Sequence, residues 1–523
     1  MRLTVLKPLR VAFSLIFFFL ILWLFVDGTG RISHELTRVI LLFQFVPSAV
    51  TLINFATAAS LGCILVLLLT LFFGRVYCSF LCPMGALHDL VTGLRTRLFR
   101  KRPFRFTKPQ RWLQYCLLAL TVIPLFFGSL FVLNFLDPYS LSGRIFSNLF
   151  RPVWYGAVNL VSWVLKQFND FSVYPVEMKS VAVPSLVITA VLFAGIVLLA
   201  FFKGRWYCNA VCPVGTLLGL VSRFSLFRIR IREEACNQCG LCARNCKAGC
   251  IDQHSKTVDF SRCVACYNCF RTCRSGSFYY GFAWKPSGGS ADPSRRTFLK
   301  QTVTGLTGVA GLLTADSLVA QNRRRNRNGG RTGDNLTPVT PPGSLSFRNF
   351  TSSCTACHLC ISACPTRVLQ PSFAEYGLSG LFIPKMDFGV SYCNYDCIRC
   401  TQVCPNEAIR TLTVEEKHLT RIGVARFRRN HCVVVTQGTA CGACSEHCPT
   451  KAVEMVPYLQ DLGIPEVDET LCIGCGACEY ACPTRPRRAI SVEPLEIHGT
   501  AMKPSGTTTP APAAVKKEEE FPF

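Results

Sequence analysis

The sequence predicts a multi-pass α-helical membrane domain followed by α+β domains organised around cysteine, and three observations carry that expectation. Half of the 523 residues are hydrophobic and only 17% are charged, with 40 Phe and a mean hydropathy of +0.31, which is too apolar for an ordinary soluble chain. The apolar residues and the cysteines are segregated: residues 1–203 hold four long apolar runs and few thiols, whereas 236–482 hold 25 of the 31 Cys. Those thiols also recur at short, regular spacings. Size excludes a small disulfide-stapled scaffold, and the apolar content excludes disorder as the main state.

Residues 11–26, 51–73, 112–134 and 183–202 each approach the roughly 20 residues that cross about 30 Å of hydrocarbon. They are read as four transmembrane helices in a domain spanning 1–220. The apolar segments 36–48 and 152–168 are shorter or interrupted and read as re-entrant or interfacial helices. Arg2, Lys7 and Arg10 at the start, and the acid-free basic stretch from Arg95 to Arg111, place both ends of the four-helix block on the cytoplasmic side. The net charge of +25 is therefore mainly a topology signal. No recognition motif or aromatic platform supports nucleic acid as a partner.

An internal repeat closes two of these spans. Gly74-Arg75-Val76-Tyr77-Cys78-Ser79-Phe80-Leu81-Cys82-Pro83-Met84-Gly85 returns as Gly204-Arg205-Trp206-Tyr207-Cys208-Asn209-Ala210-Val211-Cys212-Pro213-Val214-Gly215. The i, i+4 spacing can set each pair of sulfurs on one helical face. Two copies could then join Cys78, Cys82, Cys208 and Cys212 in a redox or metal site. The competing reading is a pair of helix-ending turns with buried, inert Cys. Cys63 and Cys116 read as core residues.

Beyond the membrane half, the chain reads C-x2-C-x2-C-x3-C twice, as Cys236, Cys239, Cys242, Cys246 and Cys263, Cys266, Cys269, Cys273. Three thiolates on one tight loop hold three corners of a cubane and the fourth Cys of each run reaches the other cluster, the spacing of a two-cluster bacterial ferredoxin. Zinc needs only four ligands and does not explain the third Cys of each loop. The usual Pro after the fourth Cys is replaced by Lys247 and Arg274, and Cys250 competes with Cys246 as a ligand. Four further runs each end in Cys-Pro: Cys354, Cys357, Cys360, Cys364; Cys393, Cys397, Cys400, Cys404; Cys432, Cys441, Cys444, Cys448; and Cys472, Cys475, Cys478, Cys482. The sequence thus provides for six [4Fe-4S] clusters, one two-cluster domain over 221–285 and one four-cluster domain over 345–498. Spacing leaves the pairing of the last four runs open. Cys354-Thr355-Ala356-Cys357-His358 matches the c-type haem motif, but haem would strip two ligands from a complete run, so His358 reads as a loop residue. The thiol tally is complete without any disulfide.

Between the cysteine blocks, Ser294-Arg295-Arg296-Thr297-Phe298-Leu299-Lys300 precedes a mildly apolar run to about Ala320, followed by Arg323, Arg324, Arg325 and Arg327. This is similar to a twin-arginine export signal at an internal position. Clusters are built in the cytoplasm, so a domain carrying four of them must cross the membrane folded. On this reading 302–320 is a fifth span within a 286–344 signal, anchor and linker segment, 345–498 is periplasmic, and 499–523 is a disordered tail.

These features together resemble a fusion of two iron–sulfur proteins of periplasmic nitrate reductase systems. Residues 1–280 resemble the NapH-type membrane polyferredoxin, with CxxxCP motifs at Cys78/Cys82 and Cys208/Cys212 and a two-cluster ferredoxin domain. Residues 290–500 resemble the NapG-type exported four-cluster ferredoxin, including the twin-arginine start. The resemblance implies a component of the bacterial inner membrane that oxidises quinol and passes electrons to a periplasmic redox partner, a reductase or cytochrome. The fusion and the missing Pro residues depart from that pattern, and no terminal acceptor is identifiable. The rival reading is a redox-sensing or maturation factor for a partner oxidoreductase, since the CxxxCP architecture is shared with such proteins. Clusters on opposite faces are separated by about 30 Å of lipid, and the spans lack the paired His of a bis-His haem. A quinone, or a centre on Cys78, Cys82, Cys208 and Cys212, must bridge them, or the modules work separately.

Overall fold

The computed structural model describes residues 5–27, 32–54, 60–99, 104, 106–176, 182–283, 338–373, 375–377, 380–459 and 461–503. The expected twin-arginine motif and fifth span lie outside the described residues.

Among the described residues, two helices are long and apolar enough to cross a membrane, Leu6–Val26 and Val183–Lys203. The other two expected spans are shorter in the structure. The described part of the 51–73 segment comprises the end of helix Phe45–Asn54 and helix Leu61–Phe73, with 55–59 outside the described residues. The 112–134 segment breaks after helix Arg111–Phe126, where Pro124 inside the last turn costs a backbone hydrogen bond and Gly128 takes a φ of 78°. The 36–48 region forms the bent pair His34–Leu42 and Phe45–Asn54, whose axes differ by 92°, a broken span or re-entrant loop by shape. The 152–168 region is the helix Arg151–Gln167, with Trp154 and Trp163 exposed on its outer face. Helices Pro83–Leu98 and Pro213–Ser222 each begin with a Pro directly after the second Cys of the repeat. Pro fits there because the first helical N–H has no intrahelical partner to lose.

The cysteine half is made of two-stranded antiparallel ribbons and one-turn helices. In the first module strand Phe227–Ile231 pairs with Phe278–Phe282, Phe227 opposite Phe282 and Ile231 opposite Phe278, and Ile251–Asp252 pairs with Thr257–Val258. In the second, Leu369–Pro371 pairs with Pro384–Met386, Val453–Pro457 with Gly463–Val467, and Thr420–Phe427 with Ile490–Thr500. Two boundaries differ from expectation. Gly499 and Thr500, assigned to the disordered tail, pair with Arg421 and Thr420. Residues 339–344, assigned to the linker, are buried, with Val339 accepting from Met386 N–H and Gly343 from Arg410 N–H. Backbone pairing claimed these residues where composition alone read as linker.

The two modules meet opposite ends of the helical domain. The first docks on the repeat: Arg205 N–H donates to Lys247 O at 2.9 Å, Asn209 Nδ2 to Ala248 O at 3.2 Å, and Ser79 Oγ to Val264 O. The second docks on the other end through Asn54 Nδ2 to Ser353 Oγ at 3.0 Å, Asn134 Nδ2 to Cys354 O at 3.4 Å, and Phe135 against Phe382 at 5.6 Å between ring centres.

Candidate metal centres

Each run of three closely spaced Cys wraps a short loop into a one-turn helix, and several loop residues take left-handed backbone angles, among them Gln238, Ala265, Tyr267, Ala356 and His358. This tight curl turns three side chains inward. In the first module Cys236, Cys239 and Cys242 line one hollow together with Cys273, the fourth residue of the other run. Cys246 in turn stands among Cys263, Cys266 and Cys269. The fourth thiol of each run therefore stands with the loop of the other run.

The structure also gives the pairing that spacing left open. Cys364 joins Cys393, Cys397 and Cys400 around one hollow, and Cys404 stands with Cys354, Cys357 and Cys360. Cys482 joins Cys432, Cys441 and Cys444, and Cys448 stands with Cys472, Cys475 and Cys478. The first run thus pairs with the second and the third with the fourth. The two pairs touch where Cys393 N–H donates to Cys475 O at 3.0 Å.

Among the described residues, no three Cys, His, Asp or Glu side chains converge tightly enough to share one metal ion. The thiols ring hollows instead of meeting at a point. That arrangement suits a polynuclear cubane, with its ligand sulfurs held apart by the core, better than tetrahedral zinc. Backbone N–H groups aim at several sulfurs, Ala356 at Cys354, Ile409 at Cys404 and Ala425 at Cys472, each at 3.4 Å. Such bonds stabilise thiolate charge and tune potential.

A second regularity surrounds the fourth Cys of each run. A hydroxyl or amide two residues on lies near the sulfur: Ser275 by Cys273 at 3.3 Å, Thr366 by Cys364 at 3.6 Å, Asn406 by Cys404 at 3.2 Å, Thr450 by Cys448 at 3.7 Å and Thr484 by Cys482 at 3.1 Å. Cys246 has Ala248 at that position and meets the Cys250 sulfur at 3.5 Å instead. The hydrogen bond between the two sulfurs holds the Cys246 thiol below the usual range, and Cys250 also reaches Cys263. Cys250 thus fills the place of the missing hydroxyl beside Cys246.

His358, the residue of the haem-like motif, is buried, with Nε2 2.9 Å from Phe382 O. Burial, with help from Arg144, lowers its pKa to about 3, so it stays neutral. Its ring lines the junction with the helical domain, and the two Cys of the motif belong to the Cys354 group.

The repeat brings Cys78, Cys82, Cys208 and Cys212 into one buried layer, each 4–6% exposed. Burial raises the Cys82 and Cys212 thiols, and proximity adds to it: Cys82 is within electrostatic reach of Cys78 and Cys208, and Cys212 of Cys208, Cys78 and Cys82. The two copies cross-link by a pseudo-twofold exchange. Arg75 Nη2 donates to Cys208 O at 2.9 Å and lies 3.9 Å from Cys78 Sγ; Arg205 Nη1 donates to Cys78 O at 2.9 Å and lies 3.9 Å from Cys208 Sγ. Gly85 and Gly215 permit the approach, since a Cβ on either would overlap the carbonyl of Cys78 or Cys208 respectively. The sequence reading quoted both arginines within the repeat but gave them no role. Their identical position in the two copies was the available signal. Asp89 was missed altogether: its carboxylate joins Arg10, Arg205 (2.9 Å) and Lys247 (3.3 Å), tying the first helix, the second repeat and the first cysteine module together.

Comparison with known proteins follows the same division. A family model described as a 4Fe-4S binding domain matches residues 55–102 and 186–232, both copies of the repeat, and one described as a 4Fe-4S dicluster domain matches 438–485. The chain is 28% identical over 222 residues to the putative electron transport protein YccM of Escherichia coli, covering 41% of this chain and 53% of that protein, about half its length. It is 31% identical over 189 residues to the methylamine utilization ferredoxin-type protein MauM of Methylobacillus flagellatus, covering 35% and 76%. It is 30% identical over 160 residues to the ferredoxin-type protein NapF of Escherichia coli, covering 31% and 87%. No solved structure matches.

Proposed function

The chain belongs to the ferredoxin-type iron–sulfur proteins, and from that premise we propose that it is a membrane-spanning electron carrier of NapH and NapG type that takes electrons from quinol and delivers them to a periplasmic redox partner. The observation that carries the reading is the placement of the two cysteine modules at opposite ends of one helical domain, with thiol groups facing each junction. When bound, the [4Fe-4S] clusters supply one-electron redox centres. The chain's part is to hold six of them: four thiolates at each site fix the core, neighbouring N–H and O–H groups offset thiolate charge, and the junctions hold the sites at fixed separations.

Multi-pass insertion is supported by the two long apolar helices, the bent pair and the shorter apolar helices Leu61–Phe73 and Arg111–Phe126. Lys203 lies over the Trp206 ring at 4.9 Å, the kind of cation and aromatic pair that sits at a membrane surface. A quinol site is supported at that level by a cavity of about 340 Å³ lined by Phe104, Gln114, Phe202, Lys203, Trp206 and Cys246. Its volume falls in the range of small-ligand sites, and Phe104, Phe202 and Trp206 offer faces for a quinone ring, while Lys108, Gln114, Lys203, Lys247 and Arg262 on the same wall offer donors for its oxygens. Cys246 on the wall puts a thiol of the second site beside such a ring.

The test is anaerobic mixing of the purified full chain with a reduced quinol while the EPR of the reduced clusters is recorded. Reduction within a turnover time supports the reading; no reduction returns the chain to the sensing or maturation role. A reporter fused after residue 503 tests the topology, and a cytoplasmic signal from it would overturn periplasmic delivery.

A further inference from the structure

We propose that Cys78, Cys82, Cys208 and Cys212 together hold a seventh, polynuclear iron–sulfur centre on the pseudo-twofold axis of the repeat, between the two cysteine modules and next to the first. The inference deepens the electron-carrier reading and rests on it.

The first support is a charge with no counter-charge. Arg75 is 1% exposed. Its guanidinium donates to Asn209 Oδ1 at 2.8 Å, Ser261 O at 3.2 Å and Cys208 O, all neutral acceptors, and its Nε is buried without a hydrogen-bond partner. No carboxylate among the described residues pairs with it. A buried guanidinium held only by neutral groups is costly and calls for an anion. The nearest groups able to become anionic are the thiols, with Cys78 Sγ 3.9 Å away. Four thiolates around a doubly positive iron–sulfide core leave a net charge of about −2. Arg75 and Arg205 stand against that layer from opposite copies of the repeat, Arg205 already paired with Asp89 and Arg75 with no carboxylate of its own, so an anionic thiolate centre would supply the counter-charge that Arg75 lacks.

The second support is independent of charge. Gly215 N–H donates to Cys212 Sγ at 3.3 Å, the same N–H to sulfur contact seen at the ferredoxin-type thiols. Both copies of the repeat also match a family described as 4Fe-4S binding although each carries only two of the clustered thiols. Two half-sites that meet across an axis supply the four ligands that neither copy has alone. The layer fills the gap noted between modules on opposite faces. Ser79 and Arg75 reach the first module at Val264 O and Ser261 O, while Tyr77 and Tyr207 reach toward the other end, Tyr207 Oη donating to Leu136 O at 3.1 Å, one residue from Asp137. The centre would take one electron from a reduced neighbour and pass one electron on. The neighbour is oxidised as the centre is reduced, and no covalent bond or proton need be exchanged.

The test is iron and acid-labile sulfide per full chain, with redox-titrated EPR, on the wild-type and two variants. Six cubanes account for about 24 iron atoms, and the seventh centre adds about two to four. Replacing Cys78, Cys82, Cys208 and Cys212 together by Ser should remove only that increment and one redox component. The control Cys63→Ala/Cys116→Ala should keep both. Wild-type iron limited to about 24 atoms, or intact-protein mass spectrometry showing Cys78–Cys82 and Cys208–Cys212 disulfides in the as-isolated chain, would overturn the proposal. The wild-type count needs no variant to fold. Loss of the seventh component with six clusters still reducible refutes nothing in the carrier reading, whereas a wild-type chain lacking the six would refute that reading itself.

Discussion

Replacing Asp89 by Asn removes one charge while keeping the side chain's shape, at the point where three parts of the chain are tied together. The carboxylate is 13% exposed, and its partners Arg10 and Arg205 are 3% and 0% exposed at their side chains. At about 3 Å and an effective dielectric near 20, each contact is worth roughly 5 kcal/mol before desolvation is counted. The net cost of leaving the buried guanidiniums unpaired is about 3–5 kcal/mol, the range found when one partner of a buried ion pair is deleted. Because Lys247 belongs to the first cysteine module, that module should loosen first. The assay is thermal bleaching of cluster absorbance in detergent, with limited proteolysis to mark which module opens. Asp89→Asn should lower the midpoint by roughly 5–10 °C and expose the segment around 233–282 to protease before 338–503. A midpoint within about 2 °C of wild-type, with unchanged cleavage order, would refute the assignment of this network as the docking tie. The pH dependence has a definite sign. Burial pushes the Asp89 carboxyl up, but Arg205, Lys247 and Arg10 more than offset it and hold it below the usual carboxylate range. A depressed folded-state pKa gives stability that is fully present above the unfolded value near 3.9 and is lost only as pH falls through the folded value. The wild-type minus variant difference should therefore be flat from about pH 5 to 8.

Three further outcomes follow from the thiol geometry. Cys273→Ser should abolish the cluster of the Cys236 loop and spare that of the Cys263 loop, read as loss of one EPR component and about four irons; loss at the Cys263 loop instead would refute the crossed assignment. Cys250→Ala should retain the full iron content but lower the potential of the Cys263-loop cluster, since a sulfur loses its donor, while Cys250→Ser restores it; iron loss in Cys250→Ala would make Cys250 a ligand. Gly215→Ala should cost more than about 2 kcal/mol in stability, because its Cβ overlaps the Cys208 carbonyl and lies 2.7 Å from Arg75 Nη2, whereas Gly93→Ala, which has open space around it, should be neutral or stabilising within its half-buried helix.

What could be read in the sequence was what is local. Three thiols within seven residues must share a loop, so the cluster runs and the repeat were visible without a fold. Which runs pair is a tertiary fact: Cys404 reaches the Cys354 loop, and Cys482 the Cys432 loop, only because the ribbons fold back on themselves. The spans were overestimated for a related reason. Hydropathy counts apolar residues straight through Pro124 and from helix Phe45–Asn54 into helix Leu61–Phe73 alike, but a backbone that loses its helical hydrogen bond, or passes to another helix, no longer adds length along one axis. Arg75, Arg205 and Asp89 were hidden because a charged residue beside a membrane segment reads first as a topology marker, and only burial reveals that these three face inward.

The arrangement of the second module bears on how one chain could pass electrons from site to site. The Cys354 group is the one against the helical domain: Gly143 lies so close that a Cβ would overlap the Cys357 carbonyl, and Cys357 shares a continuous apolar core with helix Leu6–Val26. The Cys393 group, with Cys393, Cys397 and Cys400 partly exposed, follows, joined by backbone contact to the Cys475 loop, and the Cys432 group with its partly exposed Cys441 and Cys444 is farthest along. The four groups therefore stand in a row, from one enclosed by Arg144, His358 and Phe382 to groups with partly exposed thiols. A row of sites suits a relay, because enclosure where the module meets the helical domain keeps solvent from the first site while partial exposure of the later ones lets a partner approach. The exchange of fourth ligands contributes to the same result: each Cys-Pro that completes a neighbouring site fixes the separation of two sites covalently along the chain. The spacing of the row is then set by the fold and not by chance docking of separate ferredoxins.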